Sequence, residues 1–195
     1  MARRRREQLS QRAPDRPVVR HLTPDQVAGF WSTDIHPWSY DFDYLGHLTA
    51  AIYPKAFEQG RIRYLAQRWG TRQPAYVVAS HTMQYATEIR EEVAPLRVLI
   101  RPTALGRSSV RLEEMLVDRN SRVCNFSNVT LVAWDPQARG PRELSPAERG
   151  PLELDMEILH GLDLPSAAPR KNHTEADREA VMDTHARPRQ EPELP

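Results

Sequence analysis

Cysteine is nearly absent from this chain: among 195 residues only Cys124 carries a thiol. One thiol cannot close an intramolecular disulfide, so a secreted scaffold stapled by bridges is excluded. Long hydrophobic runs are missing as well. Nowhere does the sequence reach the roughly 18 apolar residues that span a bilayer, and "EQLSQRAPDRPVVRHLTPDQVAG" holds no apolar block of about seven residues such as a secretory signal needs. Excess charge of one sign is the third absence. With 27 basic and 26 acidic residues the formal net charge is +1, which gives no general drive toward nucleic acid. The expectation is a soluble, cytoplasmic protein with no membrane and no nucleic-acid partner. The one dense basic cluster, "ARRRRE" from Ala2 to Glu7, has no apolar neighbours to pack on and is expected to be a solvated start of the chain.

What is present divides the chain into three. Residues 1–24 are Arg-rich with little apolar periodicity, and residues 141–195, ending in "RPRQEPELP", are rich in Pro, Glu and Arg. Both are expected to be largely disordered tails, since neither holds enough apolar surface to offset its ordering entropy. Residues 25–140 carry the aromatics and the long apolar strings and are expected to be a single domain. No internal repeat is visible.

Inside that domain one helix stands among strands. From Tyr53 to Trp69 the large side chains Tyr53, Phe57, Tyr64, Leu65 and Trp69 recur at three- and four-residue intervals. Pro54 suits a first turn, Gly70 suits a C-terminal stop, and Gly60 in mid-helix implies a close neighbour. Downstream the period shortens to two. "PAYVVASHTMQYATEI" puts Val77, Met83, Tyr85 and Ile89 on one side, and "PLRVLIRPT", "SSVRLEEMLVD" and "RVCNFSNVTLVAWD" follow as further strands. Pro102 should lie near a strand end or on an edge. A first strand is expected within "GFWSTDIHPWSYDFD". The sum is an α+β domain: a five-stranded antiparallel sheet on one long helix.

The segment "DFDYLGHLTAAIYPKAFEQGRIRYL" resembles the opening of the hot-dog-fold acyl-CoA thioesterases, in particular the 4-hydroxybenzoyl-CoA thioesterase-like group. The family form is Asp-x-Asp-x-x-Gly-His, then Asn, a Tyr, and a helix with Phe-Glu-x-x-Arg. The matching positions are Asp41, Asp43, Gly46, His47, Tyr53, Phe57, Glu58 and Arg61. "ALGRSSVRLEEMLVD" is similar to that family's fourth strand and "VTLVAWD" to its last. Thr49 stands where the family commonly has Asn.

The resemblance implies a hot-dog fold, a homodimer or a pair of dimers, and hydrolysis of an acyl thioester of coenzyme A or acyl carrier protein, with no metal and no organic cofactor. It implies Asp43 as the key carboxylate, activating water or attacking the carbonyl itself. His47 would orient water, hold the thioester or protonate the leaving group. Backbone amides from Thr49, Ala50 and Ala51, before the helix N-terminus, would take the oxyanion, and Gly46 would let the loop turn sharply. Tyr53, Glu58, Arg107, Ser108 and Ser109 are candidate substrate contacts, and Arg101, Arg107 and Arg111 candidate partners of coenzyme A phosphates.

Plainer readings stand beside these. Asp43 has an ordinary use as a turn acid, Asp41 reads as structural, and Glu58 and Arg61, three apart on one helix, read as a surface or interface ion pair, with Glu58 as the water-activating acid of a different hot-dog subgroup the alternative. Glu114 shares a face with Val110, Leu112 and Leu116, and His81 and Cys124 read as packing residues. Two other functions compete: a non-catalytic acyl-binding or assembly protein of the same fold, and a hot-dog dehydratase. The dehydratase spacing of five between Asp and His is absent, because Asp43 and His47 are four apart. A serine hydrolase is unsupported, since Ser108 and Ser109 lack the Gly-x-Ser-x-Gly elbow.

Overall fold

The computed structural model describes residues 20–160. In chain order these form a short helix α1 (Pro24–Ala28), β1 (Trp31–Ile35), the long helix α2 (Ile52–Trp69), β2 (Tyr76–Tyr85), β3 (Leu96–Leu105), β4 (Ser109–Val117), β5 (Val123–Asp135), the two-residue β6 (Gly140–Pro141) and α3 (Pro146–His160). The sheet is antiparallel throughout, in the order β1-β3-β4-β5-β2, and β6 pairs only with the end of β5. The expected five strands are therefore present, with a sixth short one added.

Helix α2 lies on one face of this sheet. Its buried residues Tyr53, Ala56, Phe57, Gly60, Arg61, Tyr64 and Leu65 follow the helical period and meet Val98 and Ile100 of β3, Val110, Leu112 and Leu116 of β4, and Val129, Leu131 and Ala133 of β5. A smaller cluster, Leu22, Phe30, Leu99, Met115, Val117, Val123 and Phe126, covers part of the other face. The central strands thus bury both sets of alternating side chains, and so read as apolar strings in the sequence. Gly60 sits where a Cβ would lie 2.6 Å from Val98 Cγ1, so its lack of a side chain lets helix and sheet approach. Gly70 closes α2 in the left-handed conformation, its N–H on the Ala66 carbonyl. The β1 pairing stops at Ile100, so β3 has an open edge at Pro102, and a bulge follows between Pro102 and Ala104.

Three expectations need correction. A bulge between Val78 and Ser80 shifts the alternation of β2, so Tyr76 joins Met83 against the core while Val77 is 36% exposed. The domain boundary at 24/25 falls inside the fold: Leu22 is buried and donates its N–H to the Ser121 carbonyl, and the Arg20 carbonyl accepts from Val123. The boundary at 140/141 does too. Helix α3 buries Leu152 completely and its Asp155 Oδ2 accepts the Tyr64 hydroxyl at 2.8 Å and Arg68 Nε at 2.6 Å. The Arg cluster of residues 2–7 and the final Pro-rich run lie outside the described residues.

Candidate active site

Between β1 and α2 the chain makes two consecutive turns. The Asp41 carboxylate accepts the Trp38 N–H at 2.8 Å and closes the first, a single 3-10 turn over Ser39–Asp41. In the second, Asp43 Oδ1 accepts the N–H groups of Leu45 (2.8 Å) and His47 (2.9 Å), while the Asp43 carbonyl accepts the Gly46 N–H at 2.9 Å. Gly46 has φ of 75°, a conformation that side chains disfavour. Asp43 is therefore the turn acid that the plainer reading describes, but only with one oxygen. Among the described residues its Oδ2 has no partner, and its side chain borders an open cleft of about 440 Å³.

That cleft is walled by His47 and Ala50 beside Asp43, by Tyr53 at the start of α2, and by Tyr85 and Glu88 at and beyond the end of β2. Tyr53 is buried and meets Tyr85 edge to face at 4.9 Å, and burial drives its hydroxyl pKa well above the ordinary range. The loop carrying His47 is strapped to the segment after β2 by the Leu48 N–H on the Ile89 carbonyl, 2.8 Å, and by a bridge pairing of His47 with Arg90. His47 Nε2 lies 2.9 Å from Glu88 Oε2, and Arg90 Nε donates to Glu88 Oε1 at 3.0 Å.

The helix entrance narrows the expected amide donors. Thr49 N–H is already given to the Asp41 carbonyl at 2.9 Å, and Gly46 N–H to Asp43, so neither is free for an oxyanion. The Ala50 and Ala51 amides have no backbone partner among the described residues; Ala51 caps α2 without a side-chain hydrogen bond, and Ala50 lines the cleft. Ala50 thus shares the cleft with Asp43, and the Ala51 amide follows it at the positive end of an 18-residue helix.

Other expected contacts lie elsewhere. Glu58 is exposed on α2 and does not border the cleft. Arg107 and Ser108 occupy the turn between β3 and β4, and Ser109 opens β4; Arg107 pairs with Glu143 in solvent, 3.0 Å. Strand register sets this turn at the opposite end of the sheet, since Ser109 aligns through Val132 with Val77, while Tyr85 aligns through Asn125 with Leu116. Arg101 is engaged by Glu113 and lies over the Phe30 ring, away from the cleft, and Arg111 is exposed. Cys124 is buried, its thiol pushed up to about 12 by burial.

One polar group departs from expectation. Arg61 does not pair with Glu58 at the surface; it turns into the core and donates to Glu114 Oε2 at 2.9 Å, both residues at most 3% exposed. Ser127 Oγ donates to the same carboxylate at 2.8 Å, and His81 Nε2 lies 2.8 Å from Ser127 Oγ. His81 is thus part of a hydrogen-bonded chain rather than simple packing. The phase of Glu114 among apolar residues of β4, and of Arg61 between Phe57 and Tyr64, was the available signal. Among the described residues no three His, Cys, Asp or Glu side chains converge as a metal site.

No protein-family model and no curated protein matches this chain. Solved structures do. A thioesterase from Thermus thermophilus, complexed with coenzyme A and zinc, is 27% identical over 66% of this chain and 96% of its own, with a TM-score of 0.58. A predicted thioesterase from Bacillus stearothermophilus is 17% identical over 70% of this chain and 99% of its own, TM-score 0.60. A hypothetical protein from Staphylococcus aureus, in complex with CoA, is 11% identical over 74% and 93%, TM-score 0.62. The curled antiparallel sheet with its long helix is the hot-dog fold of these thioesterase structures.

Proposed function

We propose that this protein hydrolyses acyl thioesters of coenzyme A or of a phosphopantetheine carrier protein, using the cleft at Asp43. One observation carries the reading: among the described residues Asp43 Oδ2 has no partner, and Ala50, whose amide has no backbone partner, borders the same cleft, with the Ala51 amide next in the chain. The thioester carbonyl oxygen would accept from those amides, which would stabilise its growing negative charge. Asp43 Oδ2 either bonds to the carbonyl carbon, giving an anhydride that water opens, or takes a proton from the attacking water. In both routes a C–O bond forms, the C–S bond breaks, and the departing sulfur takes a proton, for which His47 is the nearby donor.

The site is shared between two copies in this reading. Among the described residues β2 is an edge strand with no partner on its outer side, and Val77 and Val78 are exposed there. Antiparallel pairing of β2 with its two-fold mate would exchange the ends of the sheet and carry the second copy's turn at residues 107–109 to the Asp43 end. That would make Arg107, Ser108 and Ser109 substrate contacts across an interface, in a dimer or a pair of dimers. The likeness to a thioesterase holding coenzyme A supports a CoA-type substrate.

The test is thiol release from a panel of acyl-CoA and acyl-carrier substrates. Wild type should release thiol well above buffer and Asp43→Asn should lose about 10²-fold or more in kcat. A wild-type rate equal to buffer across the panel would leave the non-catalytic acyl-binding protein as the better description. Full activity in Asp43→Asn would overturn the site and keep the enzyme. Mixing Asp43→Asn with a variant of the 107–109 turn should restore part of the activity if two copies build each site.

A further inference from the structure

The Nε2 atom of His47 has two neighbours that make opposite demands. Glu88 Oε2 at 2.9 Å requires a proton on Nε2, and Arg90 Nη2 at 3.3 Å requires a lone pair there. The shorter, charge-assisted contact prevails, because Arg90 has another acceptor in Glu88 Oε1 at 3.0 Å, whereas among the described residues an Nε2–H has only Glu88. Arg90 holds the Glu88 carboxyl below the usual carboxylate range, so it remains an acceptor across neutral pH. Backbone ties between residues 47–48 and 89–90 fix both partners.

We propose that Glu88 is a positioning residue for His47, holding its Nε2–H so that Nδ1 is the nitrogen that exchanges a proton with a ligand in the cleft. This rests on the hydrolase reading above. A proton taken up on Nδ1 passes to the departing thiolate as the C–S bond breaks, and the ring is left as the neutral Nε2–H tautomer that Glu88 holds. Arg90 clamps the other Glu88 oxygen and limits its reach. The further charged and titratable groups here are Asp43 on the same loop, Tyr53 on α2, Tyr85 on β2, and Arg122 acting on Glu88.

Nitrogen NMR of the labelled full chain, with His47 assigned from His47→Asn, reads the tautomer directly. Wild type should show the Nε2–H form, and Glu88→Ala should shift population to Nδ1–H as Arg90 takes the Nε2 lone pair. An unchanged tautomer in Glu88→Ala overturns the proposal. In thiol-release kinetics Glu88→Ala should lose about 10- to 100-fold in kcat with KM within about threefold, and Glu88→Gln, which keeps an acceptor for Nε2–H, should retain more of kcat than Glu88→Ala. An unchanged rate in an active enzyme overturns it as well, even if the tautomer moves. A tautomer that responds in a protein with no thiol release supports the pairing and removes the hydrolase reading instead.

Discussion

Glu114 is a carboxylic acid with no exposed surface, on a strand face it shares with the apolar Val110, Leu112 and Leu116. Burial pushes its carboxyl up to about 7, with Arg61 and the Ser127 hydroxyl pulling the other way. A carboxyl raised in the folded state binds more protons there than in the unfolded chain. Its contribution to stability is therefore complete below about 4.5 and is lost as pH rises toward 7. A shift of that size corresponds to about 3 kcal/mol. His81 runs the opposite way: burial, then the charge of Arg61, lowers its pKa, so its contribution grows as pH rises through that window. Glu114→Gln removes the first effect and keeps the second. Urea unfolding of both proteins from pH 4.5 to 8 should show the variant gaining on wild type by up to about 3 kcal/mol as pH rises. A gap that widens against the variant instead would mean that Arg61 keeps the carboxylate ionised throughout. The sequence held half of this: Glu114 stood in phase with apolar residues, but only the fold brings Arg61, Ser127 and His81 onto it from three other elements.

At the scale of elements, the hydrophobic period found the long central helix and the strands that follow it. Helix α2 and strands β2 to β5 follow it because each buries a face against the same core. The helices it missed have a different signature. Thr23 and Gln26 cap α1 reciprocally, and Ser145 and Glu148 do the same for α3, each with a proline in the first turn. Those Ser/Thr-x-x-Glu/Gln signals were present, masked by a surrounding composition that reads as a tail. The β2 bulge had no signal, since a one-residue irregularity is decided by pairing with β5. Gly60 was legible as a close contact, and its partner gives a quantitative test. Gly60→Ala should gain about 1 kcal/mol of helix propensity, yet its Cβ meets Val98, a stiff β-branched side chain that is fully buried. Net destabilisation of about 1 to 3 kcal/mol is expected. In the Gly60→Ala, Val98→Ala double variant the two losses should be less than additive by chemical denaturation, and full additivity would place the strain elsewhere.

For the whole molecule, the site and the scaffold were legible to different degrees. Asp43, Gly46 and His47 are neighbours in sequence, so their turn could be read directly. Glu88 and Tyr85 reach the cleft only because β2 returns to the helix entrance, and the free amides became distinguishable from the engaged Thr49 amide only once Asp41 was in place. The boundary at 140 has the largest energetic consequence. Leu152 is fully buried, worth about 2 to 3 kcal/mol, and losing Asp155 would leave the Tyr64 hydroxyl and Arg68 without their acceptor, about 1 to 3 kcal/mol more. A chain ending at residue 140 should therefore lose about 5 kcal/mol, a large share of the roughly 5 to 15 kcal/mol that holds a domain together. Urea midpoints of the truncated and full chains measure it. Leu152→Ala in the full chain, expected to cost about 2 to 5 kcal/mol, assigns the loss to α3 itself. An unchanged midpoint in both would mean that α3 rests on the sheet without supporting it, and that the fold closes at β6.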